Sequence, residues 1–225
     1  MESNTILLVS ATVLEVKPLL DKYSHEKEEN FYHLAINKND VDLLITGVGI
    51  HAMTYSLTKA LSQKKYKFII LAGIAGSYNS NYKLGEVVNV ITERFSDLGI
   101  QKPNSFQSIF DMGLLDNNAW PYTDGEMTNY TLINNKAVNK LTNTIGNTVQ
   151  TIKTDHIISN SNTDIESMEG AAFFYTCMME KQAFIQIRSI SNYVGETDKN
   201  KWDIPLSVNN LCRSIEAIFV EINPS

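Results

Sequence analysis

The sequence predicts an α/β fold, a mixed and largely parallel central sheet flanked by helices, and three observations predict it. Short apolar runs alternate with amphipathic stretches of helical spacing along most of the 225 residues. One run, Phe68–Ala72 (FIILA), is uninterrupted, as a strand covered on both faces should be. Two others, Phe31–Ile36 and Val41–Thr46, are separated only by Asn37-Lys38-Asn39-Asp40, turn-prone residues that predict a hairpin and thus an antiparallel element.

The elements follow in order. Thr5–Ser10 is a short apolar strand, and Leu14, Val16, Leu19 and Leu20 give Leu14–Tyr23 the spacing of a helix. After the hairpin, His51–Lys64 is an amphipathic helix leading into Phe68–Ala72, and Glu86–Thr92 (EVVNVIT) reads as the next strand. Asp97–Thr131 has weak periodicity and many Asn, Pro and Gly residues, which predicts long loops with one short helix. Lys136–Leu141 reads as a helix, Thr148–Lys153 as a strand, Glu169–Lys181 as a helix, Phe184–Ser189 as a strand and Pro205–Val220 as a closing helix. No repeat, Ser/Gly linker or change of composition divides the chain, so residues 1–225 are expected to form one domain.

Composition narrows the partners. Lys and Arg number 19 against 25 Asp and Glu, a net charge of −6. Affinity for nucleic acid comes largely from cations neutralising phosphates, so no nucleic-acid partner is expected. Cys177 and Cys212 are too few for a disulfide framework and lack zinc spacing, which implies a reducing cytoplasm and no metal. No segment reaches the ~18 apolar residues of a membrane span. The Ile6–Val9 run is too short for a secretory signal, and Glu2 stands where a positive charge would be expected. A cytoplasmic protein without a membrane partner is the expectation.

Ligands of such sheets sit outside the carboxyl ends of the strands, and four of these ends carry polar or glycine-rich chemistry. At the first, Thr12-x-x-Glu15 matches a capping box, which alone would account for Glu15 unless a second polar group shares its rim. Thr46-Gly47-Val48-Gly49 and Gly73-Ile74-Ala75-Gly76 would let a ligand approach backbone N–H groups, although tight turns explain the glycines equally well. Neither matches the G-x-G-x-x-G dinucleotide fingerprint. At the fourth, Met168-Glu169-Gly170-Ala171-Ala172 opens a helix, and Arg188-Ser189-Ile190-Ser191-Asn192 closes the next strand. Glu169 could complement a helix N-terminus, Arg188 could be a salt-bridged strand end, and Asn192 could cap a turn.

Taken together, these blocks resemble the nucleoside phosphorylase/nucleosidase superfamily, which cleaves N-glycosidic bonds. The resemblance spans nearly the whole chain and implies a phosphorylase/hydrolase-like fold. Within it, Glu166–Phe174, Glu93-Arg94-Phe95 with Asp97-Leu98-Gly99, Gln186–Val194 and Trp202–Leu206 look most like the futalosine hydrolases, which release hypoxanthine from futalosine in menaquinone biosynthesis. The resemblance implies roles residue by residue. Glu15 would orient and deprotonate the attacking water, helped by Arg188. Glu169 would accept hydrogen bonds from the ribose hydroxyls, and Met168 would pack along the sugar. Ala75 and Gly76 would present backbone near the sugar, and Ile157, in the stretch Thr154–Ile158, would contact the base. Asn192 would face the purine O6/N7 edge, where relatives that prefer 6-aminopurines carry Asp. Its NH2 can donate to O6 and its carbonyl can accept from N7–H, which matches a 6-oxopurine.

The resemblance implies no cofactor, a small nucleoside as partner and a homo-oligomer, with a dimer favoured. Asp97–Trp120, with Phe106, Ile109, Phe110 and Leu114, either closes a neighbour's pocket or packs onto its own subunit. Phosphorylases hold phosphate with arginines. Here the three are Arg94, Arg188 and Arg213, none in the first ninety residues, so water is the expected nucleophile. The alternatives are a methylthioadenosine/S-adenosylhomocysteine-type nucleosidase, a purine nucleoside phosphorylase and a non-catalytic nucleoside binder. The joint presence of Glu15, Glu169, Arg188 and Asn192 argues against the last.

Overall fold

The computed structural model describes residues 4–103, 105–152, 162–196 and 198–222. In chain order the elements are β1 (Ile6–Ser10), α1 (Val13–Lys22), β2 (His25–Glu28), β3 (Phe31–Ile36), β4 (Asn39–Ile45), α2 (Ile50–Gln63), β5 (Phe68–Ser77), β6 (Val87–Phe95), β7 (Gly99–Lys102), β8 (Ser105–Ser108), β9 (Met127–Thr128), α3 (Lys136–Asn139), β10 (Thr142–Thr148), β11 (Ile165–Ser167), α4 (Gly170–Met179), β12 (Phe184–Tyr193) and α5 (Ile204–Glu221). Alternation along β1 sets the layers. Ile6 and Leu8 join Val16 and Leu19 of α1 and Leu211, Ile215 and Phe219 of α5 on one face. Leu7 and Val9 join Met53 and Leu57 of α2 and Phe173 and Phe174 of α4 on the other. The closing helix starts where Asp203 accepts the backbone N–H of Leu206 at 3.0 Å, with Pro205 in the first turn, where its missing N–H is no loss.

The main sheet runs β11-β10-β6-β12-β5-β1-β4-β3-β2, with β9 beside β6. Because β11 pairs with β5 as well as β10, the run β5-β12-β6-β10-β11 closes on itself. This corrects the expectation of a largely parallel sheet. Pairings of β1 with β4 and β5, β5 with β12, β6 with β10 and β10 with β11 are parallel, but β2–β3, β3–β4, β6–β12, β6–β9 and β5–β11 are antiparallel. The connection 78–86 explains the reversal. A parallel crossover usually carries a helix; this stretch has none, and β6 runs back antiparallel to β12.

Other expectations also shift. The strand anticipated at Thr148–Lys153 lies earlier, at Thr142–Thr148, and Lys153 is outside the described residues. Its sequence TNTIGNT has no apolar run; its backbone is paired by β6 and β11, and Thr144, Asn147 and Thr148 are buried among them. Between Asp97 and Thr131 the described residues form the β7–β8 hairpin and β9 in place of a helix. In that segment Phe110 packs edge-on to Tyr122 at 5.2 Å while Leu114 is 72% exposed. No helix among the described residues is long and apolar enough to cross a membrane.

Candidate active site

The ends of β1, β5, β11 and β12 surround a cavity of about 260 Å³ lined by Glu15, Ala75, Gly76, Met168, Glu169 and Asn192, among others. That lies near the lower end of the size range of small-molecule sites, roughly 300–1,000 Å³. All four strand ends singled out in the sequence meet here. A larger hollow of about 650 Å³, lined by His25, His33, Asp42 and Lys64, lies at the β2–β3 edge and touches none of them.

Glu15 caps α1 and also faces the cavity. Its Oε2 accepts from the Thr12 backbone N–H at 3.0 Å, the Thr12 hydroxyl at 3.0 Å and the Ser10 hydroxyl at 3.2 Å. Its Oε1 accepts the backbone N–H of Ile74, across the sheet, at 3.0 Å. The capping explanation therefore describes one oxygen, and the tertiary fold directs the other.

Beneath the cavity, the Arg188 side chain is 1% exposed. Its Nη2 lies 3.6 Å from Glu169 Oε2, and its Nη1 donates to the carbonyl of Ile74 at 3.3 Å. Gly73 makes this possible. A Cβ there would collide with Arg188 Nη1 and lie 2.8 Å from Glu15 Oε1, so the guanidinium and the carboxylate close over the same bare backbone. Glu169 heads α4, and its Oε1 accepts the backbone N–H of Gly49 at 3.0 Å, which brings in the Thr46–Gly49 strand end. Gly49 has φ +94°, a left-handed conformation that favours glycine. Burial pushes the Glu169 carboxyl above its ordinary range, opposed by Arg188 and by the Gly49 amide.

Asn192 ends the cavity on the β12 side. The register shifts between Ile190 and Asn192, a bulge that re-aims the strand end, and Asn192 pairs with Gly76. Ser191 Oγ lies 2.8 Å from Asn192 Oδ1 and 3.2 Å from the Ala75 carbonyl, and Asn192 Nδ2 lies 3.1 Å from where a Gly76 Cβ would stand. The Ser191 hydroxyl has one proton for these two acceptors, and Asn192 Nδ2 donates to the Tyr193 carbonyl at 3.3 Å. Met168, Ala75 and Gly76 line the cavity; Ile157 lies outside the described residues.

Sequence reasoning missed Val48, Ile152, Glu166 and Trp202, which also line the cavity. Glu166 stands within the motif around Met168 and accepts from the Tyr78 hydroxyl at 2.6 Å, while Trp202 lies in the block preceding α5. Val48 lies inside the Thr46–Gly49 strand end already singled out, and only for Ile152 is there no local signal. Among the described residues, no Lys, Arg or His lines the cavity, and no group of three or more His, Cys, Asp or Glu could hold a metal ion.

This fold is that of solved nucleosidase structures, and the chain is similar over most of its length to curated nucleosidases. Futalosine hydrolase of Thermus thermophilus is 24% identical over 192 residues, covering 79% of this chain and 80% of the relative. The 5′-methylthioadenosine/S-adenosylhomocysteine nucleosidase of Colwellia psychrerythraea is 23% identical over 216 residues, 87% of this chain and 86% of the relative. The crystal structure of the enzyme of that name from Colwellia, in complex with adenine, superposes with TM-score 0.79 at 17% identity over 98% of this chain and 96% of its own. Native futalosine hydrolase of Helicobacter pylori gives TM-score 0.75 at 14% identity, with 97% and 98% covered. No family model matches the chain.

Proposed function

We propose that this chain is a phosphate-independent N-ribosyl hydrolase that cleaves the purine–ribose bond of a 6-oxopurine nucleoside, with futalosine the first substrate to test. The observation that carries the reading is the joint placement of Glu15, Arg188 and Glu169 about one cavity with Asn192 on its wall. Scission of a ribosyl–purine bond passes through an oxocarbenium-like state, which needs an activated water on one side and a stabilised leaving group on the other. Glu15 Oε1, aimed by the Ile74 amide, takes the proton of the attacking water. Glu169, held by Arg188 and Gly49, accepts from the ribose hydroxyls, and Met168 covers the sugar. Asn192 offers its amide N–H to O6 and keeps its carbonyl for N7–H as the base departs. The absence of a cation along the described cavity wall supports water over phosphate as nucleophile.

Similarity to the Colwellia nucleosidase at nearly the same identity supports a second reading, cleavage of 6-aminopurine thionucleosides. Incubation with futalosine, inosine and methylthioadenosine, with and without phosphate, separates them. Hypoxanthine released from futalosine without phosphate is expected. Adenine release alone favours the second reading, and a rate that vanishes without phosphate overturns the hydrolase. The reading also carries a cytoplasmic homodimer, in which exposed Leu114 and Trp120 contribute to the contact; a fully active monomer in solution removes that part.

A further inference from the structure

Glu93 is fully buried, yet it does not line the cavity. Its Oε1 accepts from Gln186 Nε2 at 2.7 Å and its Oε2 from the Thr148 hydroxyl at 3.0 Å. That hydroxyl in turn accepts the backbone N–H of Ala171 at 2.7 Å, in the first turn of α4 and two residues from Glu169. The space for the carboxyl is made by glycine on two sides, since a Cβ on Gly146 or on Gly170 would collide with it. Gly170 immediately follows Glu169. Burial of this kind is costly for a carboxylate unless it is compensated.

We propose that Glu93 is a positioning residue for the hydrolysis: its carboxyl ties the first turn of α4 to β10 and β12, and so leaves Arg188 to Glu169. The proposal rests on the hydrolase reading given above. The groups around Glu93 are Gly146 and Thr148 from β10, Gln186 and Arg188 from β12, and Gly170 from α4 with Glu169 beside it. Of these, Arg188 and Glu169 can be charged. An ionised Glu93 would draw on the same guanidinium as Glu169 and repel the carboxylate that must receive the ribose. Nε and Nη2 of Arg188 and Oε1 of Gln186 have no hydrogen-bond partner, although Nη2 stands 3.6 Å from Glu169 Oε2. Burial pushes the Glu93 carboxyl up to about 7, against the opposing pull of Gln186, Arg188 and Thr148, so its charge changes near neutrality.

The test compares the pH dependence of kcat/KM for the wild type and Glu93→Gln, whose amide keeps the shape without a charge: its carbonyl still takes the Thr148 hydroxyl, and its NH2 meets Gln186 once that amide turns its unpartnered Oε1 toward it. In the wild type, kcat/KM is expected to fall as pH rises through neutrality. Glu93→Gln should keep the acidic-side value and lose that alkaline fall. An unchanged alkaline fall in Glu93→Gln overturns the proposal, as does a loss of activity at every pH in a folded Glu93→Gln protein. Thr148→Val cuts the link to Ala171 and should raise KM more than it lowers kcat; a variant with wild-type KM counts against the tie to α4. Infrared titration of the wild type needs no variant and no turnover: a protonated carboxyl band that persists above pH 6 and fades near neutrality is expected, and its absence also overturns the proposal. If no nucleoside is cleaved, the hydrolase reading fails while the infrared result still decides the state of Glu93. If cleavage is robust but the two pH profiles coincide, only the role of Glu93 falls.

Discussion

Between the sheet and helices α1 and α5, the buried cluster is built from Leu8, Leu19, Leu43, Ile187, Leu211 and Phe219. Beneath the start of α4, equal burial is given to Glu93, Gln186, Arg188 and Glu169. The first region follows the ordinary rule. Each apolar side chain removed from water contributes roughly 1.5–3 kcal/mol, and no partner need be chosen with care. The second runs against that rule, because every charge there loses solvation that its neighbours only partly restore. One region holds the fold together, and the other keeps the proposed site in place at some cost to stability.

The contrast can be broken at several points. Glu15→Gln should have the largest effect, a loss of kcat by ~10²–10⁴-fold from removing the general base. Its melting temperature should fall only modestly, because the single carbonyl of Gln can take the Ile74 N–H or the Thr12 N–H but not both; such a stability loss with near-normal kcat would instead reduce Glu15 to a helix cap. Arg188→Met should destabilise by about 3–5 kcal/mol in a denaturant titration, since it strands the Glu169 carboxylate. Adding Glu169→Gln should recover part of that loss, whereas two additive penalties would mean the pair is not coupled.

On the apolar side, Leu43→Ala should cost about 2–5 kcal/mol of stability but leave kcat per folded molecule unchanged. A fall in kcat at temperatures well below melting would show that the two regions are not separable. Asn192→Asp should shift kcat/KM from hypoxanthine toward adenine nucleosides, by roughly 5- to 150-fold for one mispaired buried polar group worth about 1–3 kcal/mol. An unchanged ratio would mean that Asn192 does not read the base.

The smallest effect concerns stability against pH. Burial raises the folded-state pKa of Glu93 above its unfolded value, so between the ordinary glutamate range and about 7 the folded chain holds the extra proton. Stability from this group is therefore present at low pH and lost as pH rises through that window, by at most about 1.4 kcal/mol per pH unit. Glu93→Gln should flatten this slope in pH-dependent unfolding. A slope identical to the wild type would assign it to other groups.

Elements with a local signal were legible in the sequence: β1 and FIILA from their apolar runs, the β3–β4 pair from its turn, α2 and α5 from their amphipathic spacing. The motifs at the four strand ends were legible too, because each sits immediately after such an element. Less of the site's internal geometry was legible. Glu15 could be read as a cap from Thr12 three residues earlier, but not as a partner of Ile74. Arg188 could be read as a strand-end charge, but not as the group that shares Gly73 with Glu15 and holds Glu169.

By itself, then, the sequence determined the helices and strands that carry an apolar periodicity and the turn between β3 and β4, since these follow from periodicity and turn chemistry over a few residues. Only the tertiary structure decided that β11 bridges β5 and β10 to close the sheet, that the apolar-poor stretch TNTIGNT is a strand, and that Glu93 and Arg188 share one buried space. Those outcomes rest on backbone pairing, on the bare faces of Gly73, Gly146 and Gly170, and on fields between charges brought together from far apart in the chain, none of which leaves a mark in local composition.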